Sequence, residues 1–246
     1  MNNTIIQQVN YLKTQNSEKT RNNIVSTKIE NCYYFLTKYR NSRKKYDSGN
    51  HITFHQNMIK KTLSQLDQCG TRESIMLTEA RAGRHYWQSI NLICKQGQEW
   101  KRIYPGAKDP LKLALNIGYR YLGRICKEAL ENAGLNKSLG ILHSPSLPES
   151  LVYDYMEIWR QTIVDSVVIP LFTRTRKAKC NPVEIIFKIK DKLTKKYKYQ
   201  NEMVPLNNII KRESYVLRNS IQENIPWEPF RTQWGNSMKN NKKRQL

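Results

Sequence analysis

Acidic side chains are scarce in this sequence: 20 Asp and Glu stand against 42 Lys and Arg. A few of them sit among apolar residues, where a charge needs a reason. Asp154 and Glu157 lie in the run Tyr153-Asp154-Tyr155-Met156-Glu157-Ile158-Trp159. Their i, i+3 spacing puts both on one face of a helix. Two like charges beside apolar bulk are costly unless a cation or protons compensate them. Glu79 sits mid-helix in Leu77-Thr78-Glu79-Ala80-Arg81, and His143 lies in the loop before Asp154. Glu79, His143 and Glu157, from two helices and a loop, form an oxygen and nitrogen donor set suited to Mg²⁺ or Mn²⁺. Such a hard cation polarises a phosphate and activates a hydroxyl. The same spacing also allows ordinary ion pairs, Glu79 with Arg81 or Arg84 and Glu157 with Arg160. Spacing alone does not separate the two readings.

The elements that must position these residues read as helices. Ile24, Ile29, Tyr33, Leu36 and Tyr39 recur at helical spacing within 21–46, after a polar N-terminal stretch over 1–20 that reads as an arm or a weak first helix. Helices are also expected over 52–68 and 72–98. Asp109 is a suitable N-cap with Pro110 at the first helical position, and Gly134 follows the expected end at Asn132. Ser146-Leu-Pro-Glu149 has capping-box spacing and predicts a long apolar helix from Leu151 to Ile169, closed by Pro170. Residues 185–190 suit either a strand or a helix. A last amphipathic helix spans 206–223, and Pro226-Trp-Glu-Pro-Phe230 reads as a rigid packed segment. The fold class expected is mainly α, with little or no sheet. One helical catalytic domain covers 21–235, and 236–246 forms a basic, disordered tail.

Composition narrows the partner. A formal net charge of +22 points to a polyanion. No stretch of about 18 apolar residues exists to span a bilayer, and no apolar signal core follows Met1. Nucleic acid is therefore favoured over a membrane, and a cytoplasmic location is expected. Arg81, Arg84, Arg174, Arg176, Lys177 and Lys179 are the candidate phosphate contacts, although a charge run is also an ordinary solvated face. Five cysteines, Cys32, Cys69, Cys94, Cys126 and Cys180, are widely spaced and odd in number, as expected of reduced thiols.

Several stretches, in order, resemble the CRISPR-associated spacer-acquisition endonuclease/integrase family. They are Glu79-Ala-Arg81 with Tyr86-Trp87; Asp109-Pro110 with Leu115-Asn116-Ile-Gly118-Tyr119 and Leu122; Ala133-Gly134-Leu135 with Leu139-Gly140-Ile-Leu-His143; and Ser150-Leu151-Val-Tyr-Asp154-Tyr-Met-Glu157-Ile-Trp-Arg160 with Val164-Asp165. The resemblance covers about residues 72–170. It implies a helical catalytic domain in which Glu79, His143 and Glu157 bind Mg²⁺ or Mn²⁺, with Asp154 as a further acid that helps ligate or position. The implied activity is attack of a 3′-hydroxyl on a phosphodiester at the CRISPR repeat, together with nuclease and disintegration activity, in antiviral defence. Double-stranded and branched DNA, a homodimer, and a small ferredoxin-like adaptation partner are the implied partners. Members usually begin with a β-strand domain, and no period-2 strands precede residue 50, so that domain is expected to be lacking. The alternatives are a non-catalytic DNA-binding remnant and a related mobile-element integrase.

Overall fold

The structure, a computed structural model, describes residues 3–41, 49–97, 100–103, 106–144, 146–174 and 180–232. It is mainly α. The helices are α1 (Asn3–Tyr11), α2 (Gln15–Asn41), α3 (His51–Gln65), α4 (Arg72–Cys94), α5 (Pro110–Asn132), α6 (Ser150–Glu157), α7 (Ser166–Arg174), α8 (Pro182–Thr194) and α9 (Leu206–Gln222). A π-helical segment, Gln161–Asp165, links α6 to α7. The sheet is one antiparallel pair, β1 (Lys196–Tyr199) and β2 (Glu202–Pro205).

α2 is the central element. Its buried Ile24, Val25, Ile29, Cys32, Phe35, Leu36 and Tyr39 form a stripe at helical spacing. On one side it packs with the α3–α4 pair, and on the other it meets α6 and the π segment. α5 lies against α6, the π segment, α7, α8 and α9. Of the two readings of the first residues, arm or weak first helix, the structure has helix: 3–11 and 15–20 are helical and tied down. Tyr11 Oη bonds to Thr20 Oγ1 at 2.6 Å and donates to the Ile225 carbonyl. Gln8 is buried and bonds to the backbone of Asn136. The polar groups of this stretch pair with backbone far away in sequence, at Asn136 and Ile225.

The C-terminal segment packs as expected. Trp227 is buried and stacks on Tyr155, with ring centroids 5.7 Å apart. Phe230 stacks on Trp159 at 5.8 Å. The first contact braces α6 and the second the turn that follows it. The tail 236–246 lies outside the described residues.

Helix ends follow local chemistry. Asp109 Oδ1 accepts from Lys112 N at 2.9 Å, with Pro110 opening α5. Gly134 takes φ +76° after that helix ends, a conformation that suits a residue without Cβ. Thr71 and Ser74 form a reciprocal capping box on α4. Asn181 caps α8, so residues 185–190 are helical. The Ser146–Glu149 capping box does not form. Ser146 Oγ bonds to Ser144 Oγ instead, and α6 starts at Ser150 with no side-chain cap. Nor does Pro170 end a helix: it lies within α7.

The π segment brings α5 very close. A Cβ on Gly118 would lie 2.5 Å from Val164 Cγ1 and 3.3 Å from Ile189 Cδ1. Beside this contact, Asp165 is fully buried and accepts from Tyr86 Oη at 2.6 Å and Tyr119 Oη at 2.5 Å. Burial pushes its pKa from 3.8 to about 6, against the two tyrosine hydrogen bonds and the Arg160 and Arg102 charges.

Two outcomes are expected. Gly118→Ala overpacks the α5–π contact and lowers stability by about 1–3 kcal/mol in denaturant unfolding. For Asp165, the unfolded chain loses its proton near pH 3.8 while the fold keeps it until about pH 6. Its effect on stability is nil below about pH 4, turns unfavourable by about 3 kcal/mol as pH rises through 6, and is constant above. Unfolding of Asp165→Asn and the parent at both ends of that window should show the variant gaining on the parent by this amount as pH rises. An unchanged difference would refute the assignment.

Candidate metal centre

Four elements converge on one point. α2 supplies Lys28, α4 supplies Glu79, α6 supplies Asp154 and Glu157, and the loop between α5 and α6 supplies His143. Lys28 Nζ bridges the two glutamates. It is bonded to Glu79 Oε1 and lies 2.6 Å from Glu157 Oε2. Arg160 Nη2 holds the other oxygen of Glu157 at 3.1 Å. The Glu157 side chain is only 3% exposed, against 23% for Glu79.

The charges are mutually dependent. Burial works against the Glu157 carboxylate, yet Arg160 and Lys28 outweigh it and keep the pKa below the ordinary value, with a smaller contribution from His143. Burial likewise opposes the Lys28 ammonium, and the Glu157 and Glu79 charges raise its pKa nonetheless. Of the ion pairs considered from sequence, Glu157 with Arg160 is present. Glu79 pairs with Lys28 and not with Arg81 or Arg84. Those two arginines are exposed on another face of α4, lining a groove with Met58, Lys61, Thr62, Gln65 and His85.

Asp154 has a different task. Its Oδ2 accepts from the backbone N–H of Ile141 at 2.5 Å and of Leu142 at 2.8 Å. Its Oδ1 accepts from His143 N at 2.9 Å and faces His143 Nδ1 at 2.6 Å. Four donors use the acceptor capacity of a carboxylate. The contact requires a proton on Nδ1, so in the neutral ring Nε2 carries the lone pair. The loop is anchored on its carbonyl side too, by Arg21 Nε to Ile141 O and Arg72 Nε to Leu142 O. Gly140 is required by close approach, since a Cβ there would lie 2.7 Å from both His143 O and Ser150 Cβ.

Around this centre runs a cationic and aromatic rim. The Arg160 guanidinium lies over the Tyr119 ring at 5.2 Å, and Arg102 lies near both Tyr119 and Trp87. Arg174 closes α7. Arg176, Lys177 and Lys179 lie outside the described residues. All five cysteines are free thiols.

Lys28 was missed from sequence, although a signal existed. It lies four residues from both Ile24 and Cys32, on the core-facing stripe of α2, where an isolated lysine implies a buried acid.

Among the described residues, no three His, Cys, Asp or Glu side chains are already gathered closely enough to hold a metal ion. The donor chemistry nonetheless suits a hard divalent cation. Two carboxylates from different helices are directed at one positive charge, the Lys28 ammonium, and beside them stands an imidazole oriented through Nδ1.

Comparison with known proteins identifies the family. Residues 2–197 match the family described as CRISPR associated protein Cas1. A CRISPR-associated endonuclease Cas1 from Hyperthermus butylicus is 33% identical over 147 residues, covering 59% of this chain and 43% of the relative. One from Francisella tularensis subsp. novicida is 25% identical over 224 residues, covering 86% and 67% respectively. The chain spans about half the length of the first of these relatives. The fold is shared with a Cas6-RT-Cas1–Cas2 complex at TM-score 0.76 and 19% identity, over 94% of this chain and 27% of that one. It is also shared with a casposase bound to integration product, at TM-score 0.71 and 21% identity, over 92% and 71%. The family match contains Lys28, Glu79, His143, Asp154 and Glu157 within one continuous span, and the chain belongs to the Cas1 family of CRISPR-associated proteins.

Proposed function

We propose that this chain carries the catalytic centre of a divalent-metal-dependent DNA endonuclease and integrase acting in CRISPR spacer acquisition. The observation that carries this reading is the convergence of Glu79 and Glu157 on a single cation beside an oriented His143, in a member of the Cas1 family. The names of the relatives, as endonucleases, and of the casposase neighbour, bound to an integration product, support it.

In this reading Glu79, His143 and Glu157 hold Mg²⁺ or Mn²⁺. When bound, the cation supplies positive charge that polarises the scissile phosphodiester. The chain's own groups do the rest. Asp154 is a positioning residue: its contacts hold the histidine loop and present Nε2. Arg160 keeps Glu157 ionised. The rim of Arg102 and Arg160 neutralises the backbone of double-stranded or branched DNA, and Arg81, Arg84, Arg174, Arg176, Lys177 and Lys179 are the further candidate phosphate contacts. A 3′-hydroxyl of the incoming DNA attacks phosphorus, a new P–O bond forms, and the 3′-oxygen of the target strand leaves. Water in that role gives cleavage, and the reverse reaction gives disintegration.

The implied partners are a second copy of the chain and a small ferredoxin-like adaptation protein. Two structural neighbours are Cas1–Cas2 complexes. Among the described residues no helix is long and apolar enough to cross a membrane, and action on DNA in the cytoplasm is the location proposed.

Glu79→Ala, His143→Ala and Glu157→Ala should each lower Mn²⁺-dependent strand transfer and cleavage of branched DNA by about 10²-fold or more, with metal-free DNA binding retained. Undiminished activity in all three would overturn the ligand assignment, and absence of metal-dependent activity from the parent would reduce the chain to a DNA-binding module. Asp154→Asn cannot accept from all four of its donors. It should weaken Mn²⁺ binding by about 10- to 100-fold in a direct binding titration, and normal affinity would remove its positioning role.

A further inference from the structure

Lys28 sits where the two metal-binding glutamates meet, and its chemistry excludes a metal from that place. The ammonium has three donors and no lone pair, so it cannot ligate a cation. It uses Glu79 Oε1 and Glu157 Oε2, the second at 2.6 Å. Mg²⁺ needs carboxylate oxygens at about 2.0–2.1 Å, and such an ion and the ammonium cannot share the space between the same two oxygens. Removing the ammonium without replacement would leave Glu157 buried with Arg160 as its one close counter-charge among the described residues. A buried, under-compensated carboxylate is strongly disfavoured. The lysine stem is flexible, and the side chain is 14% exposed beside the more open Glu79, so there is a path by which it can leave.

We propose that Lys28 is a displaceable resident of the metal site. It holds the carboxylate pair together when no metal is bound, and a divalent cation must expel it to bind. The fold of the site is thereby independent of metal, and metal affinity is set by competition with a tethered cation. This inference rests on the proposal that Glu79 and Glu157 bind a divalent ion.

The test measures Mn²⁺ binding without DNA, by electron paramagnetic resonance of the free ion, for the parent, Lys28→Met and Lys28→Arg, with Glu79→Gln as control. Lys28→Met should bind Mn²⁺ about ten- to a hundredfold more tightly, the usual range for linked competing ligands, and should melt at lower temperature than the parent until Mn²⁺ is added. Lys28→Arg retains the competing charge and should not gain affinity. If Lys28→Met does not fold, the parent protein decides the matter. Acetylation of Lys28, read by mass spectrometry, should be slow in chelator and faster in Mn²⁺. Equal affinity of parent and Lys28→Met, or acetylation unchanged by Mn²⁺, overturns the displacement while leaving the metal site standing. Mn²⁺ binding that is absent from every protein, or unaffected by Glu79→Gln, overturns the metal reading and the displacement with it.

Discussion

A carboxylate removed from water must be given a positive charge, and the placement of Glu157 makes this the governing constraint of the fold. Its helix is too apolar to sit anywhere but the interior, with Leu151, Val152, Tyr155, Ile158 and Trp159 all buried. The compensation comes from two directions. Arg160 reaches back along its own chain, and Lys28 reaches across from α2. For Lys28 to arrive there, α2 must run through the middle of the molecule, between the α3–α4 pair and the acidic helix. Burial of its long apolar stripe drives this placement, at roughly 25 cal/mol per Å² of apolar surface covered. The stacking of Trp227 and Phe230 on Tyr155 and Trp159 then supports the acidic helix on its other side.

A second buried acid lies close by and is handled differently. Asp165 receives neutral hydroxyl donors from Tyr86 and Tyr119, with arginines at longer range. Glu157 has cations in direct contact and is held ionised, while Asp165 is pushed towards its neutral form. Two carboxyls eight residues apart are thus set in opposite directions by their neighbours. Arg160 and Tyr119 lie between them, so the two acids share one continuous polar seam.

Much of this was legible in the sequence, and the parts that were not share a cause. Periodicity located the long helices, and Asp109, Pro110 and Gly134 marked the ends of α5 correctly because their signals are local. The ligand candidates stood out as acids in apolar company, and their order along the chain carried the family resemblance. What stayed hidden depends on distant partners. Gln8 and Tyr11 look solvated until Asn136 and Ile225 are brought to them. Lys28 looks like one more surface lysine until Glu79 and Glu157 face it. Pro170 reads as a stop, yet the helix around it continues after the π segment. The Ser146–Glu149 spacing fits a capping box, yet Ser146 turns to Ser144, and a four-residue pattern cannot show which hydroxyl wins.

The loop carrying His143 has no regular secondary structure, yet it is fastened on both edges. Its amide groups at 141, 142 and 143 point inward to Asp154, and its carbonyls at 141 and 142 are taken by Arg21 and Arg72 respectively. The imidazole is thus registered to a rigid helix and not to the length of the connection that delivers it. Ser144, Ser146, Leu147 and Pro148 lie beyond that fastening and are exposed. Changes of length there leave the position of the histidine fixed.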